Sequence, residues 1–146
     1  MDLDRIDYRI LDELRRDGRL SNLKLAERVG LSPSACLRRV HALEAAGVIK
    51  GYRAVLDEQV MGIGLTVIVH IGLEHHDDDA LEAFEEALRR APNVLAGDMV
   101  SGRDDYVLRV GARDIADYER VHREQLSRLP GVNRIESHFA FRKVVG

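Results

Sequence analysis

Residues 21–47 read SNLKLAERVGLSPSACLRRVHALEAAG, and this stretch decides the front half of the fold. Ser21 is placed to cap a helix over Asn22–Val29, whose inner face would be Leu25, Ala26 and Val29. Gly30-Leu31 makes a tight turn. Ser32-Pro33 then restarts a helix, because a capping hydroxyl precedes a proline at the first helical position, where its missing N–H costs nothing. Periodicity carries this helix to about Ala46, with Cys36, Leu37, Val40 and Leu43 inward and Gly47 as the stop. Upstream, Ile6, Ile10, Leu11 and Leu14 recur at helical spacing within Asp4–Asp17, and downstream Ile49–Leu56 reads as a strand. Two helices joined by a short glycine-containing turn, with a third helix ahead, form a helix-turn-helix.

The outer side of the last helix points to a partner. Ser34 and Arg38 stand one turn apart, as do Ala35 and Arg39, with His41 beyond. Small side chains in the first turn permit close approach to a major groove, and arginine forks match guanine edges or phosphates. The plain alternative is a solvated helix face. Charge favours the partner. The 146-residue chain has a net charge of −3, yet residues 18–55 carry 7 Lys/Arg against 2 Asp/Glu. A positive front on an acidic protein implies a polyanion, here double-stranded DNA, at that end only.

The rear half holds a repeat. RRAPNV at residues 89–94 recurs as SRLPGV at residues 127–132, each after a helical pattern and before an alternating one. Leu65, Val67, Val69, Ile71 and Leu73 alternate ahead of the first helix, and Tyr106, Leu108 and Val110 ahead of the second. Strands follow at Val94–Ser101 and Val132–Arg142, the latter with Ile135, Ser137, Phe139 and Phe141 on one face. Strand–helix–strand twice over is the ferredoxin-like βαββαβ arrangement, so the whole chain is α+β. The sheet's second face, with Met99 and Val107, would need a cover, and a second copy of the chain is the economical one.

A winged-type helix-turn-helix followed by a ferredoxin-like domain resembles the Lrp/AsnC (leucine-responsive/asparagine-responsive) family of transcriptional regulators. The resemblance spans essentially the whole chain. It is carried by the stretch from Leu3 to Asp57, by VSGRDDYVLRV at residues 100–110 and by LPGVNRIESHFAF at residues 129–141. It implies a DNA-binding front domain, and a rear domain that assembles dimers into tetramers or octamers and binds a small effector, usually an amino acid, between subunits. Ser32, Ser34, Arg38 and Arg39 match the recognition helix, and Lys24 and Arg28 lie on the preceding helix near the phosphates. The effector loop corresponds to Gly102, Arg103, Asp104, Asp105 and Tyr106, flanked by Met99 and Ser101, with Ser137 facing the same crevice from the last strand. Asp104 stands where an apolar or aromatic residue is common, so this loop is unusually charged.

Chemistry supports such a site independently. Asp105 can hold an ammonium, and Gly102 lets backbone N–H groups approach a carboxylate. A tight hairpin turn is the plain reading of the same residues. Other function classes find less support. His75-His76-Asp77-Asp78-Asp79, with His70, offers metal-ligand types, but adjacent residues of an extended segment diverge and the aspartates suit a helix start. Cys36 reads as packed, His122 and His138 as filling. A single cysteine excludes an internal disulfide, and no cofactor motif is present. No apolar run is long enough for a membrane span and the N-terminus lacks a leader pattern, so a cytoplasmic protein is expected. The organisation expected is a DNA-binding domain over 1–48, a strand and linker over 49–62, and a ligand-binding and oligomerisation domain over 63–146. Two alternatives stand beside the regulator: a haem-pathway decarboxylase-like enzyme of the same fold, and a DNA-free amino-acid sensor.

Overall fold

The computed structural model describes residues 2–145, and the chain divides into two compact units between Val55 and Leu56. The front unit is α1 (Arg5–Arg16), α2 (Asn22–Val29) and α3 (Pro33–Ala45). Each helix starts on a capping oxygen. Asp4 accepts from the N–H groups of Ile6 and Asp7, Ser21 from that of Lys24, and Ser32 from that of Ala35. Gly30, at φ 75°, ends α2 in the left-handed conformation and redirects the chain into α3. Ile10, Leu25, Ala26, Val29, Cys36 and Leu43 form the buried centre.

Two sequence expectations change here. Leu37 is 43% exposed. It lies one residue on from Cys36, about 100° round the helix, outside the stripe formed by Cys36, Val40 and Leu43. The segment 49–56 forms no strand. A strand exists through its ladder, and among the described residues none pairs with this segment. Instead Ile49 packs against the front core, and the Tyr52 hydroxyl donates to Glu44 at 3.0 Å.

The rear unit is β1 (Leu65–Leu73), α4 (Asp78–Arg89), β2 (Val94–Met99), β3 (Tyr106–Ala112), α5 (Ile115–Glu124) and β4 (Val132–Ala140). The sheet order is β2-β3-β1-β4, antiparallel throughout. Val67, Val69, Ile71, Tyr106, Leu108 and Val110 line one face and bury Phe84 of α4 together with Tyr118 and Val121 of α5. The turn over residues 57–63 joins this unit, through Ile63 N–H on the Glu58 carbonyl and Arg109 on the Glu58 carboxylate.

The opposite face is not the apolar surface the alternation implied. Ile68 and Val107 are there, half-buried, among Thr66, His70, Asp98, Arg109, Glu136 and His138. Met99 pairs with Tyr106 and so lies on the helix-covered side. A register shift between Val94 and Ala96 changes the parity of β2, which periodicity alone does not reveal.

Phe84 has no exposed surface and its ring centroid lies 4.7 Å from that of Tyr106. Phe84→Ala is expected to cost about 3–5 kcal/mol in urea unfolding, whereas Leu37→Ala stays within about 0.5 kcal/mol of wild type.

Candidate nucleic-acid and effector sites

The basic residues of the front unit separate into two kinds. Arg39 is turned inward to α1. Its Nη1 donates to Asp4 at 2.6 Å and to Asp7 at 2.8 Å, and the Asp7 carboxylate is buried. Asp7 also accepts from the Asp4 N–H, closing a reciprocal capping box. Arg28 pairs with Glu13 at 2.7 Å, and its own carbonyl accepts from Arg9. The hydrogen bonds to Asp7 and Asp4 push the Arg39 pKa up, and those to Glu13 do the same for Arg28. Arg38 and Arg39 are therefore not equivalent in the free chain. Their difference is a long-range one, because Arg39 and Asp7 are 32 residues apart in sequence.

The remaining candidates face solvent. Lys24, Ser34, Arg38 and His41 are exposed. Ser32 caps α3 and shares a 3.3 Å hydrogen bond with Ser34. Ala35 is half-buried on the flank of the same turn. Asn22 Nδ2 donates to the Pro33 carbonyl at 2.8 Å, which fixes the start of α3 against the start of α2.

In the rear unit the loop between β2 and β3 closes through Val100 N–H on the Asp105 carbonyl, with Gly102 at φ 114°. Its two aspartates diverge. Asp105 Oδ2 accepts from the Leu73 N–H at 2.7 Å, and Oδ1 lies 2.9 Å from His76 Nε2. Asp104 turns to the open sheet face, where His70 Nδ1 donates at 2.8 Å and Arg134 at 2.6 Å. These bonds, that to His70 foremost, hold the Asp104 carboxyl below its usual range. Arg134 also donates to the Arg103 carbonyl, and Gly72 leaves it room, since a Cβ there would meet the Arg134 guanidinium at 3.2 Å.

The other effector candidates are dispersed. Tyr106 is buried, donates to Glu85 at 2.8 Å, and has its pKa pushed up to about 12 by burial and that carboxylate. Met99 and Tyr106 line a cleft of about 340 Å³ with Glu85, Leu88 and Leu95. Ser137 shares a 2.5 Å hydrogen bond with the Tyr118 hydroxyl and lines a separate depression with Ile115 and Phe139. Ser101, Gly102 and Arg103 are exposed. The single chain therefore does not gather these residues around one cavity.

Four histidines of the rear unit, His70, His76, His122 and His138, have polar partners. His76 bonds Asp105, as above. His138 lies 3.0 Å from Glu136 and edge-on to His70, and His122 lies 3.3 Å from Ser127. Asp77 caps α4 through the Ala80 N–H, with Asp78 and Asp79 in its first turn.

Residues 66–146 match the Lrp/AsnC ligand binding domain, and residues 3–50 match the winged helix-turn-helix DNA-binding family. The chain belongs to the Lrp/AsnC family of DNA-binding transcriptional regulators. It is 42% identical to the leucine-responsive regulatory protein of Escherichia coli over 143 residues, 98% of this chain and 87% of that one. It is similar in structure to a transcriptional regulator of Neisseria meningitidis solved in complex with L-Met, with TM-score 0.93, 34% identity, and 99% and 94% of the two chains covered. An AsnC family regulator from Agrobacterium tumefaciens gives TM-score 0.92 and 33% identity over 99% and 94%. These Lrp/AsnC relatives are regulators, which sets aside the decarboxylase-like reading. Among the described residues no helix is long and apolar enough to cross a membrane.

Removing Arg39 leaves the buried Asp7 carboxylate without its cation, so Arg39→Ala is expected to lower the melting temperature at pH 7 while Arg38→Ala does not. The pH dependence has a definite sign. The Asp7 N–H, and then Arg39, hold the Asp4 carboxyl below its ordinary value of 3.8. The stability from this pair is therefore present above that value and fades as pH falls through the lower folded value. The difference between wild type and Arg39→Ala narrows in the same acid window, which thermal melts as a function of pH would show.

Proposed function

We propose that this regulator reads double-stranded DNA through the outward side of α3, and that a free amino acid bound at the loop over residues 100–105 alters that binding. One observation carries the DNA assignment. Arg38 is exposed and outside every salt bridge among the described residues, whereas Arg39 and Arg28 are committed to carboxylates. Arg38, with Ser34 and His41, would meet bases or phosphates, and Lys24 would meet phosphate. Ser32 and Ala35 shape the approach. Arg28 and Arg39 act as positioning residues.

The effector reading rests on the charged loop and on the N. meningitidis relative solved with L-Met. Asp105 is hydrogen-bonded to the end of β1, so its carboxylate is already oriented, and an ammonium reaching Oδ1 would replace the exposed His76 ring. Ser137 and Met99 would meet the ligand from elements supplied by neighbouring subunits, because one chain does not bring them together. Two copies joined in a two-fold dimer, and further into tetramers or octamers, would present recognition helices to palindromic sites. Ile68 and Val107 within a charged sheet face suit a partly polar contact between copies. The protein would act in the cytoplasm, where its DNA lies.

Fluorescence anisotropy on a duplex selected from random sequence tests the first part. Arg38→Ala is expected to weaken binding by about five- to 150-fold, the scale of one good bidentate base contact, roughly 1–3 kcal/mol. Wild-type affinity in that variant would contradict the assignment. For the second part, thermal melts against the twenty amino acids should show one or more stabilising ligands. A ligand at about 100 times its Kd adds roughly 2.7 kcal/mol. Loss of the shift in Asp105→Asn, with DNA affinity of the free protein retained, would fix the site; an undiminished shift would remove it from the loop.

A further inference from the structure

The outward side of α3 carries one residue that neither the core nor the charge argument uses. Leu37 is 43% exposed and absent from the buried cluster of the front unit. It stands three residues after Ser34, one before Arg38 and four before His41, so the four form one solvent-facing stripe. The first two and a half turns of α3, residues 33–41, contain no carboxylate. A lone exposed leucine is ordinary on a protein surface. This one sits in the middle of a recognition stripe, where an apolar side chain has a specific counterpart. Along the floor of the major groove base pairs present hydrogen-bond donors and acceptors, with a single kind of apolar group among them, the C5-methyl of thymine.

The geometry points to Leu37 as a specificity-determining residue that rests against a thymine methyl in each half-site, beside the hydrogen bonds of Arg38. This rests on the assignment of α3 as the recognition helix. Leu37 supplies no hydrogen bond and no charge, so its contribution is to sequence preference and not to salt-dependent affinity.

Deoxyuridine tests this, because it differs from thymidine by that methyl alone. With the full chain and a duplex selected from random sequence, each thymine is replaced singly and binding is measured by anisotropy. Wild type is expected to lose about three- to fivefold at one thymine per half-site, the scale of burying one methyl group. Leu37→Ala, which loses the contact in both half-sites, should bind the parent duplex weaker by about the square of that factor and lose nothing more on deoxyuridine at that position. Leu37→Met, which keeps an apolar reach, should retain part of the penalty. The assignment is overturned if no thymine shows a methyl penalty in wild type, or if the penalty persists undiminished in Leu37→Ala. The wild-type scan needs no variant to fold. Arg38→Ala separates the two claims: wild-type affinity there would sink the recognition helix itself, whereas lost affinity with a flat deoxyuridine scan sinks only the role of Leu37.

Discussion

A carboxylate inside a small helical unit has to be met on every side, and Asp7 imposes that requirement on the DNA-binding half of the molecule. It sits at the third position of α1, bonded to the Asp4 N–H and to Arg39 of α3. Helix α3 cannot rotate about its axis without breaking that bond, so the same contact that holds α3 also sets which residues look outward. Asp117 serves the rear unit in the same way. Asp114 caps α5, and Asp117 at its third position accepts from the Arg113 N–H and pairs with Arg113 and Arg120, which hold its carboxyl well below the usual range. Among the described residues these two are the buried charged side chains. Each ties a helix start to arginine.

This division of labour leaves the front unit, in a chain of net charge −3, with Arg38 and Lys24 outside its salt bridges among the described residues. Pairing of Arg28 and Arg39 with acids neutralises them where they stand, and the local field is left to Arg38, Lys24 and their neighbours. In the rear unit the loop between β2 and β3 is fixed in the opposite sense, by its own acids. Asp104 ties it to β1 and β4 through His70 and Arg134, and Asp105 ties it to the end of β1. A ligand that displaced His76 from Asp105 would act on the loop whose neighbouring Asp104 holds His70 and Arg134 of the sheet face.

What the sequence disclosed follows the range of the interactions involved. The caps at Ser21 and Ser32, the turn at Gly30 and the repeat around Pro92 and Pro130 are local, and the observed elements follow them closely. Local patterns also gave the four strands, because alternation in β1 and β3 is strict. Arg39 was not distinguishable from Arg38, since its partners lie on another helix. Leu37 sits at the edge of the helical stripe, where periodicity assigns a side poorly. Met99 changed face because a bulge altered the parity of β2, and Asp105 looked free because its acceptor role is taken up by the end of β1, some thirty residues away. The expected strand over 49–56 rested on residue type alone, and residue type does not supply a ladder.

The central claim is that Arg39 holds α3 in place so that Arg38 is presented to DNA. Its most direct test is a structure of the full chain on a selected duplex. The account predicts the Arg38 guanidinium within hydrogen-bond distance of a base edge or phosphate, with Arg39 still on Asp4 and Asp7. An Arg39 released from Asp7 and seated on the DNA would contradict it.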